Sequence, residues 1–297
     1  MTLEQYKLKF TFPEWLYERF LKLIIYPSIW VAAAIASLGF YTQELLNLGH
    51  DWQAITLIFV TALIPYNLDR IFDSYVQKIP DDKAQLFFRK PYVWVLLIAA
   101  IASTAILLYK APIEVRYVSL VGIVPLLYGT PLFPVYKSKW RWYRLKDIPG
   151  SKAWIVGSVL TYAVIALPLA YAKVKFDLAA GFATLFMFVF IVTNSHVFDV
   201  RDLDSDREKG VITLPVIIGI KTTKIVLTAM NLLMLLTIIG AWTNDILVFR
   251  PEIILAVLAN LIYIWAIDYN TPRWVYSIWI EGCLFLPIIG YIALKLF

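Results

Sequence analysis

Stretches of about twenty predominantly apolar residues recur nine times along this chain, and about twenty is what a helix needs to cross the hydrocarbon core of a bilayer. They fall at 23–46, 53–77, 92–110, 113–135, 153–172, 177–200, 223–243, 252–268 and 274–296. A backbone inside lipid must satisfy its own polar groups, so runs of this length are helices. The expected fold is all-α: a polytopic membrane protein with nine transmembrane helices in one bundle around a central cavity. Composition agrees, because 61% of the 297 residues are hydrophobic and 16% charged, against nearer half and a quarter in soluble domains. Pro65, Pro125, Pro168 and Pro287 interrupt spans, which neighbouring helices accommodate. No linker or low-complexity stretch divides the chain, so residues 1–297 read as a single transmembrane domain. Residues 1–21 place Phe10, Phe12, Trp15, Leu16 and Phe20 among charged neighbours, the pattern of an interfacial segment rather than a cleaved signal.

Most of the 27 Lys and Arg fall at the N-terminus or in the loops after the even-numbered spans. That asymmetry puts the N-terminus and those loops on the cytoplasmic side, or its stromal or matrix equivalent. It also accounts for the net charge of +6 without nucleic acid as a partner. The single Cys283 forms no intrachain disulfide, and two histidines, His50 and His196, make a histidine-rich zinc or haem site implausible.

Spans two and six both end on the basic side, and both end in acid. The first reads Pro65-Tyr66-Asn67-Leu68-Asp69-Arg70-Ile71-Phe72-Asp73, the second Asp199-Val200-Arg201-Asp202-Leu203-Asp204-Ser205-Asp206-Arg207. On a continuing helix Asp69 and Asp73, Asp202 and Asp206, and Asp199 with Asp202 stack on one face. Stacked carboxylates repel unless a cation lies between them, and hard oxygen ligands suit Mg²⁺, which completes its shell with water and phosphate oxygens. The bland alternative is a set of helix-end acids balanced by Arg70, Arg201 and Arg207. Asp204 projects to the other side of its helix and reads as a loop residue.

Two aspartate motifs at the same ends of the second and sixth of nine spans resemble the UbiA superfamily of intramembrane prenyltransferases. The stretch Asp199–Leu214 is similar to the second motif of members with quinone-type or chlorophyllide acceptors, down to Gly210, Thr213 and Leu214. The first motif departs from the pattern: Pro65 stands where the family has asparagine, and Asn67 is not on the same helical face. The resemblance implies a Mg²⁺-dependent transfer of an isoprenyl chain from its diphosphate to a lipophilic acceptor within the membrane. Asp69 and Asp73 would hold one ion, and Asp199, Asp202 and Asp206 another. Arg144, Lys146 and Lys152 resemble the basic segment that family members aim at the diphosphate, with Arg70 behind them, and Tyr128-Gly129-Thr130-Pro131 is similar to the family's Tyr-x-x-Pro.

Glu281 is an intramembrane carboxylate and therefore a functional candidate. With Asn67, Asn194 and His196 it completes the polar groups at a depth suited to an acceptor or to the donor's diphosphate. No Lys or Arg lies inside spans six, seven or nine away from their ends, which points to a neutral acceptor, and the resemblance of the second motif implies an aromatic, quinone-type one. Three other readings remain open: a catalytically altered homologue acting as an assembly factor or transporter, a terpene cyclase on the same fold, and a CDP-alcohol phosphotransferase, whose Asp-Gly and Ala-Arg steps this sequence lacks.

Overall fold

The structure, a computed structural model, describes residues 14–76, 82–128, 133–136, 140–143 and 148–296. Helix α1 (Glu14–Phe20) runs into a π turn, Leu21–Ile25, and α2 (Ile29–Leu45) follows after a bend of 58°. Pro27 and Ser28 make the bend: proline removes a backbone donor, and Ser28 takes the left-handed conformation at φ 60. Then come α3 (Trp52–Val76), α4 (Asp82–Phe88) and α5 (Pro91–Lys110). After α6 (Ile113–Ser119) and α7 (Ile123–Tyr128), strands β1 (Phe133–Tyr136) and β2 (Trp140–Tyr143) pair antiparallel, Phe133 opposite Tyr143. The long helices α8 (Lys152–Ala172) and α9 (Leu178–Arg201) precede the short α10 (Leu203–Lys209) and α11 (Leu214–Ile218). Helices α12 (Ile220–Thr243), α13 (Glu252–Ala266) and α14 (Leu286–Leu296) complete the chain, α14 being preceded by a π turn at Val275–Ile280 and a 3₁₀ turn at Cys283–Phe285.

Among the described residues six helices are long and apolar enough to cross a membrane, or seven if the bent α1–α2 pair counts as one span. The expected nine is therefore not reproduced. The eighth expected span is only the 15-residue α13. The fourth is broken: helix runs in short pieces to Tyr128, and 133–135, expected inside the span, belong to the strand Phe133–Tyr136. Hydropathy cannot separate a short apolar strand from a helix end, and Phe, Val and Tyr favour the strand.

Packing joins these helices into a ring. α2 packs on α8, α8 on α9, α9 on α12, α12 on α13 and α13 on α14, which returns to α2, while α3 lies against α2, α5 and α8. Helices in lipid gain little from burying apolar surface, so close approach and interhelical hydrogen bonds hold them together. Gly157 supplies the first: a Cβ there would lie 2.2 Å from Val192 Cγ2 and 3.2 Å from its Cα, so α8 and α9 meet nearly backbone to backbone. Asn231 supplies the second, donating to Thr193 Oγ1 at 2.7 Å and accepting from Asn260 Nδ2 at 2.9 Å, which links α12 to α9 and α13. The outer face of α5 stays uncovered, with Trp94, Val95, Ile98 and Ile101 exposed, as a lipid-facing helix should be.

Gly157→Ala should destabilise the protein by about 1–3 kcal/mol, the cost of overpacking a tight contact. Gly240→Ala, where an added Cβ meets nothing within 4 Å, should not. Thermal unfolding in detergent separates the two, and equal melting temperatures would refute the close α8–α9 contact.

Candidate active site

The buried end of α9 builds the site. His196 and Asp199 are carried inward on the same helix that buries Phe186, Phe190 and Val197, and both are buried, Asp199 to 2% exposure. The helix stops at Arg201. Asp202 is its last cap, at φ −91 and ψ 9, and α10 starts afresh at Leu203. The expected continuous stack of Asp202 over Asp206 is thereby corrected, because the junction turns the two side chains toward different cations. Gly210, at φ 70, ends α10 in the left-handed conformation that glycine adopts without strain.

Asp199 and Asp206 converge on Lys152, the first residue of α8. Its Nζ lies 2.9 Å from Asp206 Oδ2, 3.2 Å from Asp206 Oδ1 and 3.2 Å from Asp199 Oδ1. The second oxygen of Asp199 is buried without a hydrogen-bond partner among the described residues, 3.6 Å from His196 Nδ1. His196 itself is fully buried, its ring set edge-on to Trp154 with centroids 4.9 Å apart. Asp202 forms a different group. Arg201 donates to it through Nε at 2.8 Å and Nη2 at 2.7 Å, and Arg273 approaches to 3.8 Å. The Arg201 guanidinium also lies over the Phe198 ring, 4.7 Å from its centroid, and over Tyr276 at 5.6 Å.

Asp206 and Asp202 are shifted in opposite directions. Burial pushes Asp206 above the ordinary carboxylate range; Lys152 opposes this, and the charges of Asp199 and Asp202 reinforce it. Burial would raise Asp202 too, but Arg201, with Lys152 and Arg273 behind it, outweighs burial and holds it below that range. Asp204, in α10, is exposed.

At the first motif Asp69 is exposed and Arg70 half-buried, with Nη1 3.4 Å from Ile25 O and its guanidinium 6.0 Å from the Phe88 ring. Asn67 is fully buried and donates to Leu63 O at 2.8 Å and Pro27 O at 2.9 Å, so its amide group ties α3 to the bend of the first span. The Asp73 and Tyr128 side chains, with Arg144 and Lys146, lie outside the described residues.

Glu281 is a buried carboxylate that follows the π turn of the last span. A π turn shifts the i→i−4 pairing and marks many functional positions. Here it leaves Ile280 O to accept from Asn194 Nδ2 at 2.8 Å and Ile278 O from Trp30 Nε1 at 3.1 Å, which fixes the backbone on either side. Asn194 thus positions Glu281's segment. Arg273 and Trp154 were not among the sequence candidates: the first sits at the start of the last span on the basic side, which was its only signal, and the second had none.

Three carboxylate oxygens around one ammonium define a cation site of hard donors. Among the described residues no three His, Cys, Asp or Glu side chains are grouped to hold a metal alone. Two carboxylates do match the way Mg²⁺ is bound when phosphate and water complete its shell, so the residues at the end of α9 fit such an ion.

Residues 88–286 match the UbiA prenyltransferase family, a stretch that contains the second motif and begins after the first. No curated protein matches the sequence. Among solved structures, a UbiA homologue from Aeropyrum pernix K1 in its apo form superposes with a TM-score of 0.62 at 14% identity, covering 91% of this chain and 97% of that one. A UbiA homologue from Archaeoglobus fulgidus bound to GPP and Mg²⁺ gives 0.61 at 13%, covering 93% and 98%. A digeranylgeranylglyceryl phosphate synthase gives 0.55 at 16%, covering 93% and 97%. Identities this low establish a shared fold. The family match spans most of the chain: it belongs to the UbiA prenyltransferase family and is an integral membrane protein.

Breaking the Arg201–Asp202 pair should be costly, since it strands a half-buried carboxylate. Arg201→Ala should destabilise by about 3 kcal/mol or more, and Asp204→Ala by less than about 0.5 kcal/mol. Equal melting-temperature shifts would contradict the assignment.

Proposed function

We propose that this protein transfers an isoprenyl chain from its diphosphate to a lipophilic, hydroxyl-bearing aromatic acceptor of the quinone type. The observation that carries the reading is the convergence of Asp199 and Asp206 on one cation position at the end of a membrane-embedded helix, in a chain of this family. The Archaeoglobus relative binds GPP and Mg²⁺, which supports the same ligand class here. On this reading Asp199 and Asp206 would hold Mg²⁺, with Asp202 beside them and Asp69 and Asp73 serving a second ion, and the bound ions would supply charge neutralisation for the diphosphate as leaving group.

The chain's own residues do the rest. Lys152, Arg70, Arg144 and Lys146 supply positive charge to the diphosphate, and Tyr128 a hydroxyl. The allylic C–O bond breaks with its electron pair going to the diphosphate, and the acceptor ring forms a new bond to the freed carbon, losing a proton. The surrounding apolar helices keep water from that carbon. Glu281, beside the Ile280 carbonyl that Asn194 holds, orients the acceptor's hydroxyl and takes the one proton that the substitution releases, with His196 a further polar group for the acceptor. A neutral acceptor suits this arrangement, because Arg201 is committed to Asp202. The basic surface, with both motifs, faces the cytoplasm or its organellar equivalent, and residues 1–297 form one domain.

The test supplies one labelled prenyl diphosphate with a neutral hydroquinone and, in parallel, with hydroxybenzoate, dihydroxynaphthoate, homogentisate and chlorophyllide, all of which carry a carboxylate. Labelled lipid product should require Mg²⁺, and Asp206→Asn should lower turnover about 10²-fold or more while Asp204→Asn leaves it near wild type. Product from any of the carboxylates without product from the hydroquinone would overturn the neutral acceptor. Hydrocarbon release without any acceptor would show a cyclase, and no diphosphate release would show a non-catalytic homologue.

A further inference from the structure

Lys152 is in an unfavourable place for a cation. It is the first residue of α8, after the cap Ser151, where the helix dipole presents positive charge. Its side chain is 25% exposed, so solvent is within its reach, yet it turns inward to three carboxylate oxygens at 2.9–3.2 Å. Asp199 and Asp206 explain this. Their side chains are 3% and 8% exposed, and two carboxylates so buried need a counter-charge. The backbone around Lys152 is fixed independently, because Gly150, at φ 73, donates its N–H to Ile212 O at 2.6 Å and so ties this loop to the segment after α10. Only the side chain is left free to leave.

We propose that Lys152 is a tethered cation occupying the position of the divalent ion, and that it must swing out before the ion can bind. The inference rests on the metal-binding reading above and goes beyond it. Lys152 leaves one net negative charge on the two carboxylates; an arriving divalent ion reverses that sign and repels the ammonium, which then has the incoming diphosphate as its nearest anion. Free metal therefore binds weakly, and metal and diphosphate bind together. The exchange keeps the buried carboxylates neutralised in the resting protein, and it turns one lysine from a placeholder into a diphosphate ligand in the same movement.

The experiment is a Mn²⁺ titration of the purified full-length protein, followed by electron paramagnetic resonance, with and without a non-ionising prenyl thiolodiphosphate. Lys152→Met should bind free Mn²⁺ about tenfold or more tighter than wild type, since a competing unit charge has gone. Lys152→Arg, which keeps the charge, should bind no tighter than wild type. The thiolodiphosphate should strengthen Mn²⁺ binding more in wild type than in Lys152→Met. Lys152→Gln carries the same expectation should Lys152→Met fail to fold. Free Mn²⁺ binding no tighter in the neutral variant than in wild type, alongside wild-type binding with the thiolodiphosphate, would overturn this proposal and leave the metal reading standing. Absence of Mn²⁺ binding in every folded protein even with the thiolodiphosphate would remove both.

Discussion

Two carboxylates buried at the end of a membrane helix are tolerable only with a cation between them, and much of the site follows from that constraint. Asp199 and Asp206 lie on successive helices, so the cation that joins them also fixes the angle at which α10 leaves α9. Because that cation comes from α8, the three elements are locked at one point. The neighbouring Asp202 is left to Arg201 and Arg273, which draws the start of the last span onto the same end of the bundle. The result is a patch of alternating charge at the edge of the apolar region, where the low dielectric makes each pairing strong and each loss costly.

The remainder of the fold brings the other groups to this patch. Gly157 allows α8 and α9 to approach closely, so Lys152 at the head of α8 can reach the acids near the foot of α9. Asn67 fastens α3 to the bend at Pro27, which sets where Arg70 emerges. The π turn of the last span, held by Trp30 and Asn194, then places Glu281. Each of these devices is an interhelical hydrogen bond or a missing side chain, the two means of association that work in lipid.

Much of this was legible in the sequence. Apolar length located the long helices, and paired acids at the ends of two of them marked α9 correctly, because membrane insertion and carboxylate repulsion leave few alternatives. Asp204 was read as a loop residue from a helical angle that assumed α9 continues; it is exposed and lies in α10. What the sequence hid was every feature that depends on where a helix stops. Nothing local shows that α9 ends at Arg201, and the assumption that it continued stacked Asp202 on Asp206 when the two serve different cations. Residues 133–135 read as the end of a span because apolar strand and apolar helix share a composition. Lys152 was picked as a candidate by its place in a basic segment, but its partners are 47 and 54 positions away (Asp199 and Asp206), beyond any periodicity. Asn67 was assigned toward a substrate; its amide nitrogen bonds two backbone carbonyls, a role the sequence did not show, while its Oδ1 is buried without a hydrogen-bond partner among the described residues.

The proposed activity joins these parts: a prenyl diphosphate meets its ion at the end of α9, while the apolar helices shelter the carbon it releases and Glu281 addresses the acceptor. The most direct measurement is an experimental structure of the protein with Mn²⁺ and a non-ionising prenyl thiolodiphosphate, using anomalous scattering to locate the ion. The account predicts Mn²⁺ between Asp199 and Asp206, the diphosphate on its open side, and the prenyl chain running between the helices. Mn²⁺ and diphosphate bound away from α9, with Lys152 still between the two carboxylates, would contradict it.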